Sequence, residues 1–187
     1  VVYNTQLIKE GEITGYKDLL KPQYKGKITL SDPSVSGSGL SLFSHMSNNL
    51  WSEAEAIDFL KRLITEQDVV IQRDNRIHVE TVARGKYAIC LAPFNDPLTE
   101  FISLGAPLKA APLKEDNLIT AGTGALGVPT KLAHPNATVV FVNWLLSKEG
   151  QSILARNNGK PSRRLDASTE GIDPTYIPVP GEKYFME

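Results

Sequence analysis

The residues best suited to chemistry lie in KITLSDPSVSGSGLSLF, Lys27 to Phe43, where an apolar strand, a Ser/Gly-rich turn and a helix start follow one another. Ile28 to Leu30 form the strand and Asp32-Pro33 ends it. Ser36-Gly37-Ser38-Gly39 then fall where a helix begins ahead of Leu40, Leu42 and Phe43. The first N–H groups of a helix have no partner within it, and the helix dipole adds partial positive charge there. Glycine lets a ligand approach that backbone, and serine hydroxyls supply adjustable donors. Such a turn seats an anion or a polar small molecule. The plainer alternative is that Ser36 or Ser38 is an ordinary N-cap.

Two further segments share this logic. Asp74-Asn75-Arg76 follows the apolar run Val69-Val70-Ile71, and Phe94-Asn95-Asp96 follows Tyr87 to Leu91. Ligands of open α/β sheets bind beyond the carboxyl ends of strands, so if the three strands are neighbours the three turns line one cleft. Taken singly, each is also an ordinary cap or turn. Arg76 carries forked donors suited to a phosphate, phosphonate or carboxylate. Asp96 suits an amine or a hydroxyl-rich group. A zwitterion or a polyol phosphate satisfies both.

Catalytic signatures are missing. Ser36-Gly37-Ser38-Gly39 lacks the G-x-S-x-G spacing of a nucleophile elbow. His45, His78 and His134 show no metal-ligand spacing and read as structural or exposed. Gly122-Thr-Gly124 is only a fragment of a dinucleotide fingerprint, and a flexible crossing strand explains it better. The single cysteine, Cys90, excludes an internal disulfide and a cysteine-only zinc site, and its apolar run reads as core. Trp51 reads as packing at a helix end and Trp144 as core. The expectation is a binding module rather than an enzyme, with no cofactor and no resident metal.

The elements that must position the turns alternate between strand and helix patterns, which points to an α/β fold. Val1 to Thr5 is an opening strand, and Gly15 to Leu20 a short helix ending before Pro22. A helix spans about Gly39 to Asn49. Glu53 to Thr65 places Ala54, Ile57, Leu60 and Leu63/Ile64 at helical spacing. Asn75 opens a helix whose apolar positions are Ile77, Val79, Val82 and Ala83, with Gly85 as its C-cap. Pro107 to Pro112 is a further strand. Leu118 to Val128 reads as a strand crossing between units. His134-Pro135-Asn136 starts a helix through Leu145, whose continuation over Leu145 to Gln151 runs into a second helix to about Ala155, and the tail from Gly159 reads as an extended wrap.

At 187 residues the chain is long enough for a core in one or two domains, and its hydrophobic (41%) and charged (22%) fractions are those of an ordinary globular protein. A net charge of -1 argues against a nucleic-acid partner. No apolar run is long enough to span a membrane. The chain opens on a strand already in progress, with neither an initiator methionine nor a signal sequence, as expected of a processed or partial piece of a longer protein.

Four strings carry a family resemblance: YNT at 3–5, YKDLLKPQYKGKITLSDPSVSGSG, VARGKYAI at 82–89 and HPNATVVFVNWLLSKEGQ at 134–151. Together they resemble the periplasmic solute-binding proteins of ABC importers, in particular the ferric-iron-type branch of the family 1 extracellular solute-binding proteins. The resemblance implies one lobe of a two-lobed type II periplasmic-binding-protein fold, a mixed sheet flanked by helices. It implies ligand held between lobes, a membrane permease as partner, and a periplasmic or extracytoplasmic location. Residues 1–5 would be a hinge crossing strand and 6–117 the second lobe. Residues 118–158 would return to pack on the first lobe, and 159–187 would form the tail. Most of the first lobe is missing, so 118–158 is expected to pack by rearrangement or to complete a dimer. By the same resemblance Ser36, Gly37 and Ser38 match an anion-holding turn, Asn75 falls near a ligand-contacting position, and Tyr3 and Asn4 reach the cleft from the crossing strand. Iron-binding members carry adjacent tyrosines where this chain has Asn95-Asp96, a poor substitute for phenolates on Fe³⁺. A ligand-sensing domain of a regulator shares the architecture and is the alternative, with a hydrolase behind it.

Overall fold

The protein is represented by a computed structural model, in which residues 1–115, 126–172, 174–177 and 179–181 are described. It divides into two compact units, Val1–Leu118 and Ile119–Glu187.

The first unit is built on a five-stranded mixed sheet. In chain order it runs β1 (Val2–Asn4), two 3-10 turns (Tyr16–Leu20, Pro22–Tyr24), β2 (Ile28–Ser31), α1 (Ser38–His45) continued by a π-helical turn (Met46–Leu50), and α2 (Glu53–Thr65). It then runs β3 (Val70–Gln72), α3 (Asn75–Ala83), β4 (Ile89–Leu91), α4 (Asn95–Ser103) and β5 (Leu108–Ala110). The sheet order is β3-β2-β4-β1-β5. β2 pairs in parallel with both β3 and β4, and β1 pairs antiparallel with β4 and β5.

Strand alternation sorts the core onto two faces. Ile28, Leu30, Ile89, Leu91 and Tyr3 enter one cluster with Leu42 of α1 and Ala56, Phe59 and Leu63 of α2. Val2 and Cys90 point the other way and join Val79 and Val82 of α3, Leu98 of α4 and Leu108. Both faces are therefore covered, which is why the strands read as continuous apolar runs.

α2 starts at a capping box: the Ser52 hydroxyl accepts from the Glu55 amide at 3.3 Å, and the Glu55 carboxylate accepts from the Ser52 amide at 3.1 Å. Its span matches the sequence expectation, but its buried face does not. Ala56, Phe59 and Leu63 face the sheet, whereas Ile57 and Ile64 are 37% and 42% exposed. Two apolar stripes lie side by side on this helix, and the sheet selects the one carrying the aromatic ring. Trp51 packs edge-on against Tyr16 and Phe59, with ring centroids 6.1 and 5.1 Å away. α4 went unrecognised in the sequence, because Asn95-Asp96-Pro97 reads as a turn. Pro97 is tolerated in its first turn, where an N–H would lack a partner anyway.

The second unit contains α5 (Pro135–Leu145), α6 (Lys148–Asn158) and a 3-10 turn at Pro174–Tyr176. Pro135 occupies the first turn of α5. Ser147 caps α6, accepting from the Gly150 amide at 3.1 Å. Gly150 is required by proximity, since a Cβ there would lie 2.3 Å from the Trp144 carbonyl oxygen. Gly159 closes α6 in the left-handed conformation, φ 62°. The tail is fastened to α6 by the Ser162 hydroxyl donating to Gln151 Oε1 (2.6 Å) and the Ser168 amide donating to the Ser152 hydroxyl (2.9 Å). Trp144 is not core as the apolar pattern implied: it is 42% exposed, beside exposed Val139, Val140 and Phe141. The expected crossing strand at 118–128 falls mostly outside the described residues, and 126–128 are in no regular element.

Candidate ligand-binding edge

β3, β2 and β4 are adjacent and parallel, with Ser31 paired to Gln72 and Leu30 to Leu91. The segments leaving them, 32–37, 73–74 and 92–94, therefore emerge at one edge of the sheet. α1, α3 and α4 all begin there.

α1 sits directly on the end of β2. Gly39 is buried in its first turn, and a Cβ at that position would lie 2.2 Å from the Ser31 carbonyl oxygen. Only glycine allows this approach. Gly37 precedes it with φ 153°, a backbone that side chains rarely adopt. The N-cap, Gly37, has no side chain with which to cap the start of α1, and uncapped helix-start amides are the kind of donor set that seats an anion. The Ser38 hydroxyl does not face outward; it donates to the Ala92 carbonyl at 2.6 Å and ties α1 to the turn after β4. Ala92 itself is left-handed, φ 56°, without being glycine. Ser36 is exposed.

Asp32 organises the neighbouring turn. Its Oδ1 accepts from the Ser34 amide (2.9 Å) and hydroxyl (2.6 Å), and its Oδ2 accepts from Arg73 Nε (2.8 Å). The Ser34 hydroxyl, then the Arg73 guanidinium and the Ser34 amide, hold this carboxyl down at about 2. The sequence marks Asp32 only as the end of a strand and gives no sign of its pairing with Arg73. The detectable signal was their position, each one residue beyond a parallel strand.

At the start of α3 the capping residue is Asp74, whose carboxylate accepts from the amides of Arg76 (2.9 Å) and Ile77 (2.8 Å). Asn75 is exposed in the first turn. Arg76 departs from expectation. Its guanidinium forms a two-pronged pair with Glu100 of α4, Nη2 to Oε1 at 2.9 Å, and lies 5.1 Å from the centre of the Phe101 ring. α3 and α4 pack side by side, and that contact holds the arginine against α4. Asn95 and Asp96 open α4 at the edge, again without a side-chain cap, with Asp96 exposed.

Tyr3 and Asn4 do not reach an open surface of this unit. Tyr3 is buried in the core. Asn4, also buried, donates through Nδ2 to the Val82 carbonyl (2.8 Å) and accepts from the Gln6 amide (2.9 Å), bracing β1 against the end of α3. β1 lies inside the sheet with both edges paired, and all three of its residues are buried. Away from the edge, burial pushes His78 down to about 4 and Cys90 up to about 12, marking both as core. Among the described residues no three or more His, Cys, Asp or Glu side chains gather as a metal site.

Comparison with known proteins now adds to this geometry. The model of the bacterial extracellular solute-binding protein family matches residues 1–172. An uncharacterized protein of Haemophilus influenzae is 30% identical over 167 residues, which cover 86% of this chain and 44% of that protein. Among solved structures, the substrate-binding protein of an ABC transporter from Agrobacterium tumefaciens is similar with a TM-score of 0.70 at 16% identity, over 91% of this chain and 51% of that one. Iron-bound HitA from Pseudomonas aeruginosa gives 0.65 at 21%, over 95% and 56%. A two-component system protein that mediates signal transduction gives 0.60 at 19%, over 95% and 61%. At these identities the likeness is one of fold, the α/β fold of a solute-binding-protein lobe. This chain spans less than half of the Haemophilus relative and between 51% and 61% of these three structures. The chain belongs to the bacterial extracellular solute-binding protein family.

Proposed function

We propose that this protein is the solute-capturing receptor of an ABC importer, and that its first unit forms one wall of the binding cleft. One observation carries the reading: three adjacent parallel strands end at one edge, where two helices begin without side-chain caps. Such an edge is where open α/β sheets take ligands. Family membership supports it, as does the fold shared with the Agrobacterium protein. In this reading Ser36, Gly37 and Ser38 face an anionic group through backbone amides. Asn75 flanks them, and Asn95 and Asp96 take an amine or hydroxyls. The solute is small and polar, anionic or zwitterionic. HitA holds iron, but this chain has Asn95-Asp96 rather than a tyrosine pair, so an organic anion fits better than Fe³⁺ alone. Tyr3, Asn4 and Arg76 take no part.

A first lobe from a longer protein completes the cleft, and closure about the crossing strand near residues 1–5 traps the solute. The exposed apolar residues Val139, Val140, Phe141 and Trp144 support a covering surface from outside this chain, either that lobe or a second copy in a dimer. The receptor works outside the cytoplasm and delivers to a membrane permease. The likeness to the two-component system protein favours a second reading, a ligand sensor.

The test is a thermal-shift screen of the two-lobed receptor against phosphonates, sugar phosphates, amino acids, polyamines and Fe³⁺. A ligand that binds only the folded state raises the melting temperature. A shift with one anionic organic class is the expected result. A shift with iron alone, or none at all, overturns the reading.

A further inference from the structure

The turn after β3 holds a cation of a different kind from Arg76. The pairing of Ser31 with Gln72 sets Asp32 and Arg73 side by side, each the first residue beyond its strand. Asp32 is buried, with Oδ1 occupied by Ser34 and Oδ2 by Arg73 Nε. The Arg73 side chain is nonetheless 78% exposed. Its two Nη groups meet no other partner among the described residues. Arg76 closes its fork on Glu100, whereas Arg73 is gripped only at Nε and keeps its outer end open. A guanidinium presents parallel N–H donors to two oxygens of one anion, and a side chain already held in place loses less freedom on binding.

We propose that Arg73 recognises the charge of the solute, binding a paired-oxygen anion (phosphate, phosphonate or carboxylate), with Asp32 as its positioning residue. This rests on the reading of the β3-β2-β4 edge as ligand-facing. Asp74 and Asp96 add negative charge at the same edge, so a solute carrying a cationic or hydroxyl-bearing end beside its anion fits better than a bare dianion.

The test is an NMR titration of this chain with inorganic phosphate and, separately, with acetate. It follows the arginine Nε–Hε signals and the amides of residues 36–38 in wild type, Arg73→Gln and Arg73→Lys. Phosphate is expected to move the Arg73 signal and those amides along one isotherm. Arg73→Gln should weaken that binding about tenfold, and Arg73→Lys should fall between, since it keeps charge without the fork. Melting temperatures should fall slightly in Arg73→Gln, because the buried Asp32 carboxylate loses its partner, and the anion response is therefore read well below the melting temperature of each variant. An acetate response equal to that of phosphate supports a carboxylate solute, and a response to phosphate alone supports a phosphate or phosphonate. If residues 36–38 respond to phosphate identically in wild type and Arg73→Gln, the role of Arg73 is overturned while the edge stands. If neither anion moves any of these signals, the edge is not ligand-facing and both readings fall.

Discussion

His78 lies on α3, 1% exposed, against the face of the sheet that carries Cys90. Burial pushes its imidazolium down to about 4, outweighing a backbone contact with Thr29 that pulls the other way. In the unfolded chain the ring titrates near its ordinary value of about 6.5. Below that value the unfolded state binds a proton that the folded state refuses. The stability that neutral His78 contributes is therefore complete above about 6.5 and declines as pH falls, until the folded ring also protonates near 4. A gap of this size corresponds to about 3 kcal/mol in total, of which about 2 kcal/mol is lost between about pH 7.5 and about pH 5. Urea unfolding of this chain, followed by far-ultraviolet circular dichroism at both pH values, measures it. His78→Gln keeps a neutral side chain of similar size and should flatten the difference. Equal wild-type stability at the two pH values would refute the reasoning, and a slope that persists in His78→Gln would refute its attribution to this residue.

Three other perturbations probe the frame that positions the edge. Gly39→Ala forces a Cβ to within 2.2 Å of the Ser31 carbonyl oxygen, which is backbone and has little room to retreat; urea unfolding should show a loss of about 1–3 kcal/mol, and a loss under half a kcal/mol would contradict the close approach. Asn4→Ala leaves the buried Val82 carbonyl without its 2.8 Å donor and should destabilise by about 2 kcal/mol in the same assay without altering anion binding at residues 36–38. The Asp32 carboxyl, held at about 2, helps stability above its unfolded value near 4 and loses that effect as pH falls through about 2; Asp32→Asn should lower the melting temperature and speed solvent exchange of the Arg73 Nε–Hε proton, and unchanged exchange would contradict the clamp.

Much of the frame was legible because it is local. The span of α2, the proline at the start of α5 and the left-handed Gly85 that follows α3 are each written within a few residues. What stayed hidden depends on partners distant in sequence. The turns around Ser36, Asn75 and Asn95 were visible, but only the β3-β2-β4 order brings them to one edge. Arg76 looked like the ligand's cation because it neighbours Asn75. Glu100, on a helix not apparent in the sequence, holds it instead, and the open guanidinium belongs to Arg73. Tyr3 and Asn4 lie on a strand with neighbours on both sides, which no local pattern reveals. Apolar periodicity likewise cannot say which stripe of α2 meets the sheet, or that Trp144 stays exposed.

Hydrogen exchange read by mass spectrometry, on the two-lobed receptor with and without the solute that raises its melting temperature, locates the solute contact directly. Slowed exchange is predicted in peptides covering residues 33–41 and 92–97, where α1 and α4 begin. Unchanged exchange there, with protection arising elsewhere in the receptor, would contradict the assignment of the β3-β2-β4 edge as the cleft wall.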